Sequence, residues 1–172
     1  VLRELGYDDF DLLPGSDRAP IWPEGVVGSI THCAGYTAAA ATTVAEVMSL
    51  GIDAEVDAAL PDEVAALVMQ RTELRSVARL ERLSPGVHWG RLLFSAKESV
   101  YKAWYPVRHE WLGFEEVQIT MSLDGSFEAL VLRDDVAPFA PSIAGRWSRH
   151  GGVVFTAVVV PWRSGEFELN RG

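Results

Sequence analysis

Phe94-Ser95-Ala96-Lys97-Glu98-Ser99-Val100-Tyr101-Lys102 decides how the rest of this chain is read. It holds both lysines of a sequence that carries thirteen arginines. Where arginine fills almost every basic role, two clustered lysines point to a site needing a compact, rotatable ammonium. Read as helix, the run puts Glu98 and Lys102 on one face at i,i+4, and Phe94 and Tyr101 on a second, apolar face. Taken alone, the pair is either an ordinary surface ion pair or part of a site in which Glu98 is a metal ligand or proton acceptor.

Two segments upstream bear on that choice. Gly51-Ile52-Asp53-Ala54-Glu55 follows the apolar stretch from Val44 to Leu50 and reads as a strand leaving a glycine turn. Side chains alternate along a strand, so Asp53 and Glu55 point the same way, about 6–7 Å apart. With a third carboxylate they can converge on a divalent cation, and magnesium suits such a mixture of carboxylates, waters and phosphate oxygens. An exposed acidic strand end would carry the same letters. Gly28-Ser29-Ile30-Thr31-His32-Cys33-Ala34-Gly35-Tyr36 has glycines that permit close backbone approach and tight turning. Thr31 and His32 offer a hydroxyl and an imidazole suited to a phosphate, although a lone histidine is commonly structural. The segment is not a G-x-S-x-G nucleophile elbow, because position 31 is threonine.

Composition sets the bounds. A chain of 172 residues, 48% hydrophobic, can bury one sizeable core. The apolar run Val153 to Val160 is too short to span a bilayer, no secretory leader is visible, and a single cysteine excludes an internal disulfide framework. A cytoplasmic protein without membrane contact is expected. A net charge of −9 argues against nucleic acid as a partner.

The remaining pattern predicts an α+β fold, an antiparallel sheet with a long helix packed across it. Strands are expected at Val26 to Thr31, Tyr36 to Val47 and Met48 to Val56, the last two paired. Pro61 opens a helix running to about Arg82. Ser84-Pro85-Gly86 breaks it, and a second helix runs from His88 to Trp104, stopping before Pro106. Hairpins follow around Asp124-Gly125 and Gly151-Gly152. Arg71, Arg75, Arg79 and Arg82 form one helical stripe. That stripe is either a solvated face paired with Glu73 and Glu81 or a docking surface for an acidic partner.

In this order, the three segments resemble the 4'-phosphopantetheinyl transferase superfamily. Its patterns are roughly G-S-[IL]-[ST]-H, then [GV]-[IV]-D-x-E, then [FW]-[SC]-x-K-E-[AS]-x-x-K. Here they stand as GSITH (28–32), GIDAE (51–55) and FSAKESVYK (94–102). Trp22-Pro23, HCAGY (32–36), HW (88–89), KAWYP (102–106) and WLGFE (111–115) further resemble actinobacterial enzymes that modify polyketide, fatty-acid and nonribosomal peptide synthase carriers. The resemblance runs from about Leu13 to Val160.

The resemblance implies transfer of 4'-phosphopantetheine from coenzyme A to a serine hydroxyl of an acyl or peptidyl carrier protein. Mg2+ would be held by Asp53, Glu55 and Glu98. Glu98 would double as general base, and Lys102 would steady the pyrophosphate. Thr31, His32 and Lys97 are implied phosphate contacts, Arg18 a substitute for a nucleotide-gripping lysine, and Tyr101 and Trp111 walls of a pantetheine channel. It also implies a fold of two pseudo-symmetric halves. Residues 1–46 would then be a remnant of the first, 47–162 the second with the metal and catalytic groups, and 163–172 a tail. Most of the first half is expected to lie outside this sequence. Two rivals are a magnesium-dependent coenzyme A or nucleotide pyrophosphatase and a noncatalytic carrier-binding module.

Overall fold

The computed structural model describes residues 1–15 and 19–162, so the expected tail lies outside the described residues. The fold is α+β. Strands β1 (Val26–Cys33) and β2 (Tyr36–Thr43) form a separate antiparallel hairpin. Strands β3 (Ser49–Val56), β4 (Val117–Met121), β5 (Ser126–Val131), β6 (Ser142–His150) and β7 (Val153–Val160) make an antiparallel sheet in the order β3-β7-β6-β5-β4. Helices α1 (Asp62–Val68), α2 (Arg71–Leu83) and α3 (Trp89–Arg108) connect β3 to β4. Both expected hairpins form, with β4 and β5 meeting around Asp124-Gly125 and β6 and β7 around Gly151-Gly152.

The expected pairing of β2 with β3 is corrected. The chain turns at Val44 to Val47, and the Met48 amide donates to the Val160 carbonyl, which starts a β3·β7 ladder. The opposite edge of β3 faces β1 without a ladder. There the Ile52 amide donates to Ser29 Oγ and the Ala54 amide to Thr31 Oγ1, at 3.1 and 2.9 Å. Hydroxyls on β1 thus satisfy backbone donors that an edge strand would otherwise leave open.

Helix α3 buries Trp89, Leu92, Leu93, Ala96, Val100, Ala103 and Trp104 against the sheet. Its core neighbours include Ile119, Phe127, Ala129, Phe139, Val154 and Val158. Trp104 stacks on Phe139, with ring centroids 4.8 Å apart.

A second face of α3 runs antiparallel along β3. Ser49 Oγ donates to the Ala103 carbonyl, Asp53 meets Ser95, Glu55 meets Arg91, and Asp57, just past the strand, meets His88. Two strand residues span about 6.7 Å and four helical residues about 6 Å, so alternate positions of β3 stay in step with every fourth position of α3. Gly51 lies within the strand and makes no turn. A Cβ there would lie 1.9 Å from the Ser99 carbonyl oxygen, so glycine lets helix and strand touch.

Two helix boundaries differ from expectation. The predicted helix from Pro61 is divided at Met69 and Gln70, whose backbones are extended. The Val68 carbonyl is drawn to Lys97 Nζ, and the Gln70 amide is capped by Glu73 Oε2 at 2.7 Å. Helix α3 does not stop before Pro106; it ends at His109 in the left-handed region. The proline falls in the last turn, where its missing N–H removes one helical bond. Arg108, beyond it, is tied to Glu110 and Asp135.

Candidate active site

The α3–β3 seam places the acidic and basic groups of the two motifs together. Asp53 is 5% exposed and is hydrogen-bonded through both carboxylate oxygens. Its Oδ1 accepts from Lys102 Nζ at 2.7 Å and from Thr31 Oγ1 at 3.2 Å, and its Oδ2 accepts from Ser95 Oγ at 2.7 Å. Ser95 is itself held, since Thr156 Oγ1 donates to its carbonyl at 2.8 Å and lies 2.9 Å from its hydroxyl. A buried carboxylate is tolerated when it has a cation and hydrogen-bond donors, and these fix its orientation. Thr31, expected at a phosphate, is 3% exposed and bridges Asp53 to the Ala54 amide. Its place is corrected to a support for Asp53.

Glu55 lies on the same strand face and accepts from Arg91 Nη1 at 3.2 Å. Burial raises its pKa, with the nearby Asp53 charge adding to that and Arg91 opposing it. Glu98, half-buried on α3, is raised by burial first and then by Asp53, with Lys102 opposing and Glu55 contributing. The three carboxylates therefore feel one another through incompletely neutralised negative charge. Among the described residues no group of three or more His, Cys, Asp or Glu is gathered tightly enough to hold an ion as the side chains stand. In donor chemistry, three oxygen ligands with surplus negative charge fit a hard divalent cation such as Mg2+.

Lys102 also lines a cleft of about 810 Å3 between the β1 side of the molecule and the C-terminal part of α3. The cleft wall includes Trp22, Gly28, Ser29, His32, Tyr101 and Tyr105. Trp22 lies flat against β1, where a Cβ on Gly28 would meet its ring at 2.5 Å. Of the residues expected to touch coenzyme A, His32, Tyr101 and Lys102 line this cleft. Trp111 is outside its lining and 68% exposed, with its ring 5.0 Å from Tyr101. Arg18 lies outside the described residues. Asp53 itself lines a smaller cavity of about 410 Å3, whose wall also includes Thr31, Tyr36, Trp147 and Phe155, and not the large cleft.

Lys97, expected at a phosphate, is instead a core residue, and this too is a correction. It is 2% exposed, and Nζ donates to the Val68 carbonyl, Glu73 Oε2 and the Phe114 carbonyl at 2.8, 2.8 and 2.7 Å. An ammonium has three N–H donors, so none remains for a ligand. Burial lowers its pKa, and the bond and charge of Glu73 oppose that. Glu73, 1% exposed, also accepts from the Gln70 and Ile119 amides.

Sequence reasoning missed Ser95, Thr156 and Arg91 as site residues. A hydroxyl at 156 inside the apolar run 153–160 was the available signal, because a polar side chain in a buried strand must find a partner.

Two family models and several known proteins match this chain. A family model described as the 4'-phosphopantetheinyl transferase superfamily matches residues 49–150, and one described as the 4'-phosphopantetheinyl transferase N-terminal domain matches residues 1–42. The chain is 44% identical over 172 residues to 4'-phosphopantetheinyl transferase Svp of Streptomyces mobaraensis, covering 98% of this chain and 70% of that protein. It is 40% identical over 168 residues to 4'-phosphopantetheinyl transferase PptT of Mycobacterium tuberculosis, covering 93% and 73%. Against enterobactin synthase component D of Salmonella typhi the identity is 34% over 165 residues, covering 92% and 65%.

Proposed function

The chain belongs to the 4'-phosphopantetheinyl transferase superfamily, and from that premise we propose how its residues divide the work. It is an enzyme that transfers phosphopantetheine to carrier proteins, with coenzyme A as co-substrate. The carrier's serine oxygen attacks the phosphorus next to the pantetheine arm. The bond to the bridging diphosphate oxygen breaks, and adenosine 3',5'-bisphosphate leaves with that electron pair.

The observation that carries the residue assignment is the Lys102–Asp53 contact at the cleft wall, with Glu98 on the same α3 segment. Lys102 presents its ammonium to the cleft, where it steadies the charge that develops on the leaving diphosphate oxygen. Glu98 receives the serine proton, directly or through water, and its raised pKa brings it nearer the working range of a general base. His32 binds a phosphate from the β1 side, and Tyr101 packs against the pantetheine arm. Ser95, Thr31 and Thr156 do not touch substrate; they hold Asp53 in place. Asp53, Glu55 and Glu98 would hold Mg2+, which when bound supplies Lewis-acid neutralisation of the diphosphate.

The two-half reading, with the hairpin β1–β2 ending one half and residues 47–162 forming the other, is part of this proposal. The hydroxyl bridges between β1 and β3 support it as a seam between two units. A cytoplasmic setting belongs to it as well. No helix among the described residues is long and apolar enough to cross a membrane.

Incubation with coenzyme A, Mg2+ and an apo-carrier, followed by intact mass of the carrier, is the test. Gain of one phosphopantetheine unit is the expected result. Coenzyme A cleavage with no mass gain would point instead to a pyrophosphatase, and tight carrier binding without turnover to a binding module.

A further inference from the structure

Helix α3 turns one narrow strip toward β3. At 100° per residue Arg91, Ser95, Glu98 and Lys102 fall within about 60° of one another. Lys102 and Ser95 serve Asp53, as does Thr31. Arg91 serves Glu55. Its Nη1 donates to Glu55 Oε2 at 3.2 Å, its Nε to the Ala58 carbonyl at 3.3 Å and its Nη2 to the Ala59 carbonyl at 3.1 Å. All three nitrogens of the guanidinium are therefore engaged, by acceptors at the end of β3 and just beyond it. A planar fork suits this task, because its donors point in fixed directions, whereas an ammonium is a point charge on a flexible stem.

The two carboxylates of β3 are held differently. Asp53 is buried and has three side-chain donors. Among the described residues the Glu55 carboxylate has one hydrogen-bond partner, Arg91, and that bond goes to Oε2. The Glu55 side chain is 25% exposed and that of Arg91 16%, so Arg91 is what keeps this carboxylate from turning out to water. Arg91 is itself anchored at two carbonyls of a segment that is pinned again at Asp57, which meets His88 and Arg149. It lines neither the large cleft nor the smaller cavity. Its reach is to Glu55 and the backbone.

We propose that Arg91 is a positioning residue for the divalent cation, fixing the Glu55 carboxylate by Oε2 so that Oε1 is the oxygen offered to the ion. The proposal rests on the reading of Asp53, Glu55 and Glu98 as the ion's ligands and adds the residue that orients Glu55. Carboxylates that ligate metals are themselves hydrogen-bonded, and loss of such a partner costs about 10–100-fold in affinity or activity. A guanidinium beside a cation site also repels the ion. The two effects have opposite signs: removing Arg91 weakens binding if orientation governs and tightens it if charge alone governs.

The test is titration of the full protein with Mn2+, followed by electron paramagnetic resonance of the free ion. Arg91→Met should weaken Mn2+ binding about tenfold or more. Arg91→Lys, which keeps the charge without the fork, should fall between that variant and wild type. In a Glu55→Gln background, Arg91→Met should add less than about twofold, since the residue acts through Glu55. In transfer assays Arg91→Met should raise the Mg2+ concentration for half-maximal rate by a similar factor, with kcat at saturating Mg2+ changed far less. Unchanged or tighter Mn2+ binding in Arg91→Met overturns the assignment. So does an equal tenfold loss in the Glu55→Gln background, which would make Arg91 a fastener of the fold and nothing more. Should Arg91→Met not fold, Arg91→Lys carries the test, and binding as tight as wild type in that variant overturns the assignment. Wild-type protein that binds no Mn2+ overturns the metal reading beneath it.

Discussion

Replacing Gly51 with alanine tests whether the distance between β3 and α3 sets the site. A Cβ at position 51 would lie 1.9 Å from the Ser99 carbonyl oxygen and 2.8 Å from the Ala103 backbone nitrogen. Both are backbone atoms of a helix whose far side is packed core, so neither can swing aside. A carbon–oxygen contact settles at about 3.3–3.6 Å, so α3 must withdraw by roughly 1.5 Å. The Lys102–Asp53 and Ser95–Asp53 bonds, both 2.7 Å, would then stretch beyond hydrogen-bonding range. Overpacking costs about 1–3 kcal/mol, and a lost hydrogen bond to a buried charge adds about 1.5–3 kcal/mol. A net loss of about 3 kcal/mol would lower Tm by roughly 6–12 °C in a chain of this size. Transfer should fall by on the order of 100-fold, the usual consequence of misplacing a reacting group by about 1 Å. Thermal and urea unfolding, with intact-mass progress curves, measure both effects. Gly90→Ala is the matched control. Its Cβ meets only the movable end of Met69 at 3.0 Å and Leu60 at 3.6 Å, and helix propensity favours alanine by up to about 1 kcal/mol. A Gly51→Ala protein that melts and turns over like wild type would refute the argument.

Lys97→Met should destabilise by about 3–5 kcal/mol, because it leaves the Glu73 charge buried without its cation. Adding Glu73→Gln should restore part of that loss in urea unfolding, and no recovery would speak against a charge effect. Glu98→Gln should abolish transfer yet raise Tm at pH 7. The folded state holds the Glu98 proton more tightly than the unfolded chain does, so its charged form costs stability at neutral pH. That cost fades as pH falls through the folded pKa and is gone below the unfolded value of about 4.3. The Tm gap between variant and wild type should therefore close in acid, and a gap independent of pH would refute it. Ser95→Ala removes one donor to Asp53. It should lower kcat about tenfold or more while leaving the KM for coenzyme A nearly unchanged, with Ser95→Thr preserving more activity. Equal loss in both variants would indicate a packing effect instead.

Much of this architecture was legible in local sequence. Asp124-Gly125 and Gly151-Gly152 specify their hairpins because few residues other than glycine accept the turn geometry. The alternation of Asp53 and Glu55, and the i,i+4 spacing of Glu98 and Lys102, follow from backbone period alone. Apart from the end of α3 at Pro106, the main misreadings involved partners remote in sequence. Whether β3 pairs with β2 depends on the competing ladder from β7, about a hundred residues on. The break between α1 and α2 depends on Lys97 taking the Val68 carbonyl.

The two lysines show the division most plainly. The sequence by itself determined that an acidic strand and a K-E-x-x-x-K helix were present, each with a defined face, because those periods are properties of the local backbone. Only the tertiary structure decided which ammonium faces the cleft. Lys97 and Lys102 are five residues apart, which on a helix separates them by about 140°. That rotation sends Lys97 into the core to meet Glu73 and Lys102 to the seam to meet Asp53. Which side became core was set by the docking of α3 on β3, and that docking depends on long-range contacts such as the one Gly51 permits.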